Sequence, residues 1–253
     1  MHLVLTTDGP VATLTIDRPA KRNALSYDMW AAIPGIVESV AADEAVRVLV
    51  IRGGEHFSAG ADISEFTSLR RDADGARRYQ VAIHAATSAL VSLPKPTVAA
   101  ITGFCIGGGC ELALACDLRL AADDARFGIT PAKLGIVFSL PSTKQLVDVV
   151  GPAWAKQILY SGEIVDAATA LRIGLVNELH APSSLEKRVG ELAEVMASRS
   201  QVTIRGAKAI VGRIVEGAVA EDAAVLALYE GSVNSADYAE GVAAFLEKRT
   251  PRF

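Results

Sequence analysis

The chain has 253 residues, 51% of them hydrophobic, with a formal net charge of −4. That apolar content fills a sizeable core and excludes disorder, while the acidic balance and scattered basic residues exclude a nucleic-acid partner held by phosphate neutralisation. Three crowded cysteines in apolar surroundings, Cys105, Cys110 and Cys116, exclude a disulfide framework and read as reduced thiols of a cytoplasmic protein; no histidine or carboxylate cluster completes a metal-ligand set.

The first residues, "MHLVLTTDGPVATLTID", have neither the basic start nor the apolar run of a signal peptide. Within them "VATLTID" alternates as a half-buried strand does, and "VRVLVIRG" reads as a more deeply buried strand. Between the two, Ser26 caps a predicted helix through "YDMWAAIPGIVESVAAD", which Pro34 is expected to kink or interrupt. A second helix, "DGARRYQVAIHAATSALVSL", places Tyr79, Ile83, Leu90 and Leu93 at helical spacing and stops at "PKP". "TVAAITG" is then a buried strand, a helix begins near Gly108, and "DLRLAA" is another strand. The apolar stretch from Thr97 to Cys116 is too short and too interrupted, by Glu111 and four glycines, to span a membrane.

The second half leans helical. "PSTKQLVDVVG", "PAWAKQILYSG", "DAATALRIG" and "SSLEKRVGELAEVMASRS" each have a start or stop signal, "LVNELH" interposes a strand, and the last helices fall within 202–231 and 237–248. No linker divides the chain, so the expected organisation is a core of strand–helix units followed by a helical carboxy-terminal region.

Two features point to chemistry. In "FCIGGGCELALACDL" three glycines follow a buried strand and open a helix that bears Glu111, although the spacing fits neither a dinucleotide fingerprint nor a P-loop. The glycines either permit tight strand–helix packing or let a ligand approach backbone N–H groups. In "HFSAGADI" a small-residue turn follows another buried strand. Two N–H donors from separate segments are what an oxyanion hole for a thioester carbonyl requires.

The chain resembles the enoyl-CoA hydratase/isomerase (crotonase) superfamily over nearly its full length. The resemblance rests on "RPAKRNALS" at 18–26, "FSAGADISEF" at 57–66, "PKPTVAAITGFCIGGGCELALACDLRLAA" at 94–122, "SGEIVDAATALRIGLVNEL" at 161–179 and "FLEKRTPRF" at 245–253. It implies an α/β (α+β) fold: a ββα spiral over 1–195 and a helical trimerisation region over 196–253, assembled as a homotrimer or a dimer of trimers. It also implies an acyl-CoA thioester substrate, with coenzyme A as part of that substrate, no tightly bound cofactor, and neither nucleic acid nor membrane insertion.

By that similarity the N–H groups of Ala61 and Gly108 form the oxyanion hole, where a thioester enolate gathers charge, and Glu111 matches one of two catalytic glutamates. Ala24, Ala59, Asp62 and Ile63 are expected along the adenine and pantetheine path, and Lys21 or Arg22 near the phosphates. Phe245 and Lys248 would close over the nucleotide, possibly from a neighbouring subunit. Ser64 replaces a lysine that relatives often have.

The second glutamate is missing. In "FGITPAKLGIVFSLPST" the family's Pro-Glu pair falls on Thr130 and Pro131, so hydration is expected to be slow unless another group substitutes; Lys133 and Asp148 are near in sequence but read as surface residues. The "TP" and "LGIVFS" segments resemble the branch that decarboxylates methylmalonyl-type thioesters, where Thr130 would hold the substrate carboxylate and Val137 and Phe138 would exclude water, with Phe138 in place of a tyrosine. A single-base isomerase is a third reading, with His56 and His84 as borders of the acyl pocket. A catalytically silent CoA-thioester binder, and the RNA-associated relatives with a lysine-rich helix, complete the alternatives; only Arg77 and Arg78 speak for the last.

Overall fold

A computed structural model describes residues 2–253. Strands β1 (Leu3–Asp8) and β2 (Val11–Ile16) form an antiparallel hairpin. Gly9, at φ +53°, takes the first central position of its two-residue turn, and Pro10 supplies the second. Helix α1 (Tyr27–Ala42) leads to β3 (Val48–Arg52), and α2 (Phe66–Leu69) and α3 (Ala73–Ser92) lead to β4 (Thr97–Ile101). Next come β5 (Phe104–Ile106), α4 (Gly108–Leu114), β6 (Leu118–Ala122) and β7 (Arg126–Gly128). The chain continues through α5 (Leu140–Ser161), β8 (Val165–Asp166), α6 (Ala167–Arg172), β9 (Glu178–His180) and α7 (Pro182–Ala197). Three further helices close it: α8 (Gln201–Val215), α9 (Ala223–Val233) and α10 (Ala236–Glu247).

Six strands pair in the order β1-β2-β3-β4-β6-β9, parallel except at the β1-β2 hairpin, and β5-β7-β8 form a second small sheet. Both faces of the large sheet are covered, which is why its central strands read as unbroken apolar runs. Leu49, Ile51, Ala99, Ile101 and Ala121 enter the main core with α1 and α3. Their alternating neighbours Val48, Val50, Val98, Ala100, Leu120 and Ala122 pack against Leu185, Val189 and Ala193 of α7.

The structure departs from three expectations. Pro34 neither breaks nor ends α1, because Met29, Trp30, Ile33, Val37 and Val40 bury one face of that helix and offset the lost backbone bond. The two helices expected around Gly151 meet end to end in α5 across its φ of +74°. The stretch 202–231 is divided between α8 and α9. Among the described residues no helix is long and apolar enough to cross a membrane.

Helices α8 to α10 differ from the rest. None of the side chains of α8 is buried, and α9 and α10 bury one residue each, Val225 and Ala244. Polar ties hold them to the spiral: Lys208 to Asp117 at 2.8 Å, and Arg47 to the carbonyl of Phe253, which follows α10.

Candidate active site

The loop after β3 and the turn before α4 are locked side by side. Ser58 donates its N–H to Phe104 O and accepts from Ile106 N–H, at 2.8 and 3.0 Å, while its hydroxyl donates to Asn23 O and accepts from Gly60 N–H. Leu25 donates to Gly60 O and accepts from Asp62 N–H. Gly107 donates to Gly128 O at 2.7 Å. These bonds occupy the N–H groups on either side of Ala61 and just before Gly108. Among the described residues, the N–H groups of Ala61 and Gly108 have no protein acceptor; Gly108 is the first residue of α4, so it has no intrahelical one either.

Each glycine of the cluster has a separate reason. Gly107 stands at φ +51° and ψ −116°, a conformation closed to other residues. A Cβ on Gly108 would lie 2.9 Å from Trp30 Cζ2 and 3.3 Å from the Ala61 nitrogen, and one on Gly109 would lie 2.7 Å from Ser58 O. Tight packing and close approach to backbone N–H groups are thus the same fact here, since the apposition brings the two unpaired amides together.

Ala61 and Gly108 line a cavity together with Ala59, Ile63, Ile106, Glu111, Thr130, Pro131, Val137 and Phe138. Its charged lining residues are Glu111 and Arg70. Glu111 is 5% exposed and accepts a hydrogen bond from Ser142 Oγ. Burial pushes its carboxyl up to about 7, against the Ser142 hydrogen bond and the Arg70 charge, which favour the anion. At neutral pH such a group can both give and take a proton. Arg70 is held over the rings of Phe66 and Tyr79, 4.3 and 5.4 Å from their centroids.

Pro131 lines the same cavity and starts a short 3-10 helix, Pro131–Leu134, so at that position the cavity presents a proline and no carboxylate. The Thr130 side chain makes no hydrogen bond among the described residues and does not cap that helix. Val137 is 94% exposed at the rim and by itself shields nothing, whereas Phe138 packs against the core. Asp62 is committed internally, to Arg18 at 2.8 Å and to the N–H and hydroxyl of Ser64. The segment with Lys21, Arg22 and Ala24 runs beside the site, through a bond from Ala59 N–H to Arg22 O. Lys21 and Arg22 are exposed, and Ala24 is buried.

Phe245, 83% exposed, and Lys248, in a left-handed C-cap, stand on α10 and do not line this cavity within one chain. Phe245 instead lines a cavity of about 450 Å³ among the last helices. Neither Lys133 nor Asp148 lines the cavity: the Lys133 side chain lies against Gly162, and Asp148 pairs with Lys144. His56 accepts from Phe104 N–H on another groove, and His84 lies behind Ser139 rather than on the cavity wall. Arg70, Gln80, Ser139 and Ser142 were not singled out from the sequence; they lie just after α2, on α3 and at the start of α5. The only signal was Ser139 in a capping position before α5.

The family model for enoyl-CoA hydratase/isomerase matches residues 6–253. A crotonyl-CoA hydratase from Syntrophomonas wolfei is 36% identical over 255 residues, covering 100% of this chain and 97% of that protein. A short-chain-enoyl-CoA hydratase from Clostridium acetobutylicum is 34% identical, with coverage of 98% and 95%. Among solved structures, an enoyl-CoA hydratase/isomerase family protein from Hyphomonas neptunium superposes with a TM-score of 0.97 at 38% identity, covering 100% of this chain and 97% of the other.

Proposed function

The chain belongs to the enoyl-CoA hydratase/isomerase family, the crotonase superfamily, and from that premise we propose that it forms a thioester enolate with Glu111 as its single acid–base group. Its class is that of the hydratases, which are lyases acting on acyl-CoA. The observation that supports this reading best is the pair of unpaired N–H groups of Ala61 and Gly108 beside the one carboxylate of the cavity. Both amides donate to the thioester oxygen. They strengthen as negative charge develops there, so they lower the barrier rather than merely binding the ground state. Glu111, whose burial raises its carboxyl to about 7, either removes a proton from the α-carbon of the thioester to form the enolate or delivers one to the enolate's α-carbon.

The CoA moiety enters along Ala59, Ile63 and the Lys21–Ala24 segment, with Phe245 and Lys248 supplied by a neighbouring subunit of a homotrimer. A second reading, decarboxylation, is favoured by one specific arrangement: the unpaired hydroxyl of Thr130 and the Arg70 cation share the cavity with Pro131 in place of a second acid. Loss of CO₂ needs a stabilised enolate and a proton afterwards, which Glu111 supplies.

Crotonyl-CoA, a 3-enoyl-CoA and methylmalonyl-CoA offered side by side distinguish the reactions. Glu111→Gln should lower kcat on the productive substrate about 10² to 10⁴-fold at similar KM. Undiminished turnover in that variant refutes the assignment, and robust hydration of crotonyl-CoA that depends on Glu111 refutes the need for a second carboxylate.

A further inference from the structure

One chain of hydrogen bonds leads away from Glu111 and has no part in the chemistry above. Ser142 Oγ donates to Glu111 Oε1, Ser142 Oγ and Ser139 Oγ are 2.7 Å apart, and Ser139 Oγ is 3.0 Å from His84 Nε2. Gln80 Nε2 is 2.9 Å from the same imidazole nitrogen. Local structure fixes two of these links, and the packing of α3 and α4 against the start of α5 makes the other two. Gln80 and His84 are one turn apart on α3, and Ser139 and Ser142 are the N-cap and third residue of α5, where the Ser139 hydroxyl also accepts from Ser142 N–H. Ser142 is buried, Ser139 and Gln80 border the same cavity as Glu111, and His84 behind them is half-buried, so the chain runs from the cavity carboxyl to a group that water can reach.

We propose that Ser142, Ser139 and His84 are a proton relay through which Glu111 exchanges its proton with solvent while substrate fills the cavity. This rests on the reading of Glu111 as the acid–base group. The wire has two polarities, and the proton balances between them. With Glu111 neutral, its O–H donates to Ser142, Ser142 to Ser139, and Ser139 to the lone pair of a neutral His84. Moving one proton along each link leaves Glu111 as carboxylate and His84 as imidazolium, with Ser139 and Ser142 both neutral and their hydroxyls reversed. In the second state the single Nε2–H is shared between Ser139 Oγ and the Gln80 amide oxygen, turned towards it, and the imidazolium returns to neutrality by giving its Nδ1 proton to water. Arg70, on the cavity side, is the cation that favours the carboxylate. A single-carboxylate enzyme has particular need of such a path, because no second acid in the cavity can reset the first.

The test compares kcat, KM and the pH profile of wild type, His84→Ala, Ser139→Asn, Ser139→Thr and Glu111→Gln on whichever of the three thioesters is turned over fastest. Ser139→Asn keeps a good cap for α5 but cannot pass a proton, and Ser139→Thr keeps both functions. His84→Ala and Ser139→Asn should each lose about tenfold or more in kcat with KM unchanged and an altered pH profile. Free imidazole should restore His84→Ala and not Ser139→Asn, and Ser139→Thr should retain activity. Wild-type kcat and pH profile in His84→Ala, with Glu111→Gln inactive, overturns the relay and leaves the role of Glu111 standing. A loss in His84→Ala that imidazole does not repair, with an unchanged pH profile, assigns His84 a structural role and also overturns it. Full activity in Glu111→Gln instead removes the reading on which the relay rests.

Discussion

Glu111 is held where its charge is unwelcome, and this has a consequence for stability with a definite sign. Its carboxyl titrates near 4.5 in the unfolded chain and at about 7 when folded, chiefly because burial penalises the anion. The folded state therefore binds more protons between those values, and stability falls as pH rises through that window. Below about 4.5 both states are protonated and the penalty is absent; above 7 it is complete, on the order of 3 kcal/mol. Glu111→Gln should be more stable than wild type at pH 8, with an advantage that shrinks towards pH 5 in urea denaturation. A difference between the two proteins that does not vary with pH would contradict the raised carboxyl. The residue itself was legible in the sequence, because an acid between glycines and apolar residues is costly to bury, and the family motif favours catalysis there over a structural carboxylate bonded to backbone donors. Ser142 and His84 were not: Ser142 meets Glu111 from 31 positions away and His84 meets Ser139 from 55, and no local pattern records such meetings.

At the scale of elements, the site depends on two segments packed backbone to backbone, which makes Gly108 the sensitive position. Gly108→Ala would put a methyl 2.9 Å from the buried indole of Trp30 and 3.3 Å from the Ala61 nitrogen. Neither neighbour can move freely, since Trp30 is fully buried in α1 and Ala61 is anchored through Leu25. Relief must come from parting the two segments, and hence the two amides. The expected cost is about 1–3 kcal/mol of stability by overpacking, and about 10² to 10³ in kcat by loss of one aligned donor. Thermal melts alongside kinetics check both; a variant with unchanged kcat would show that the amides do not act together. The glycine run announced this apposition in advance, as alternation and end signals announced β2, β3, β4 and most helices. The strands that seat it did not announce themselves. β5, β7 and β8 have only two or three residues, too few for a period-2 signal, and β1 buries only Leu3, so its pattern is that of an edge.

For the whole molecule, the contrast between the spiral and its last three helices points outward. The spiral covers both faces of its sheet, whereas α8 to α10 expose Val211, Ile214, Leu226, Val233, Val242, Phe245 and Leu246 and bury almost nothing of their own. Isolated exposed apolar residues mean little, but Val242, Phe245 and Leu246 are three and four positions apart and form one face of α10. The prediction is that other copies of the chain bury this face. Three copies placed about an axis would also bring Phe245 and Lys248 of one subunit towards the CoA path of the next. The wild-type protein should then sediment at about three times 26.5 kDa, or at about six times for a dimer of trimers. Val242→Glu with Leu246→Glu plants two charges on that face, four residues apart, and should shift the protein to monomers by sedimentation velocity. Because neither residue lines the cavity with Glu111, the chemistry within each chain should survive while KM for the CoA thioester rises. A monomeric wild type at micromolar concentration would contradict the assembly. A variant that becomes monomeric without any rise in KM would show instead that each chain holds its CoA unaided, and that the outward face of α10 serves assembly alone.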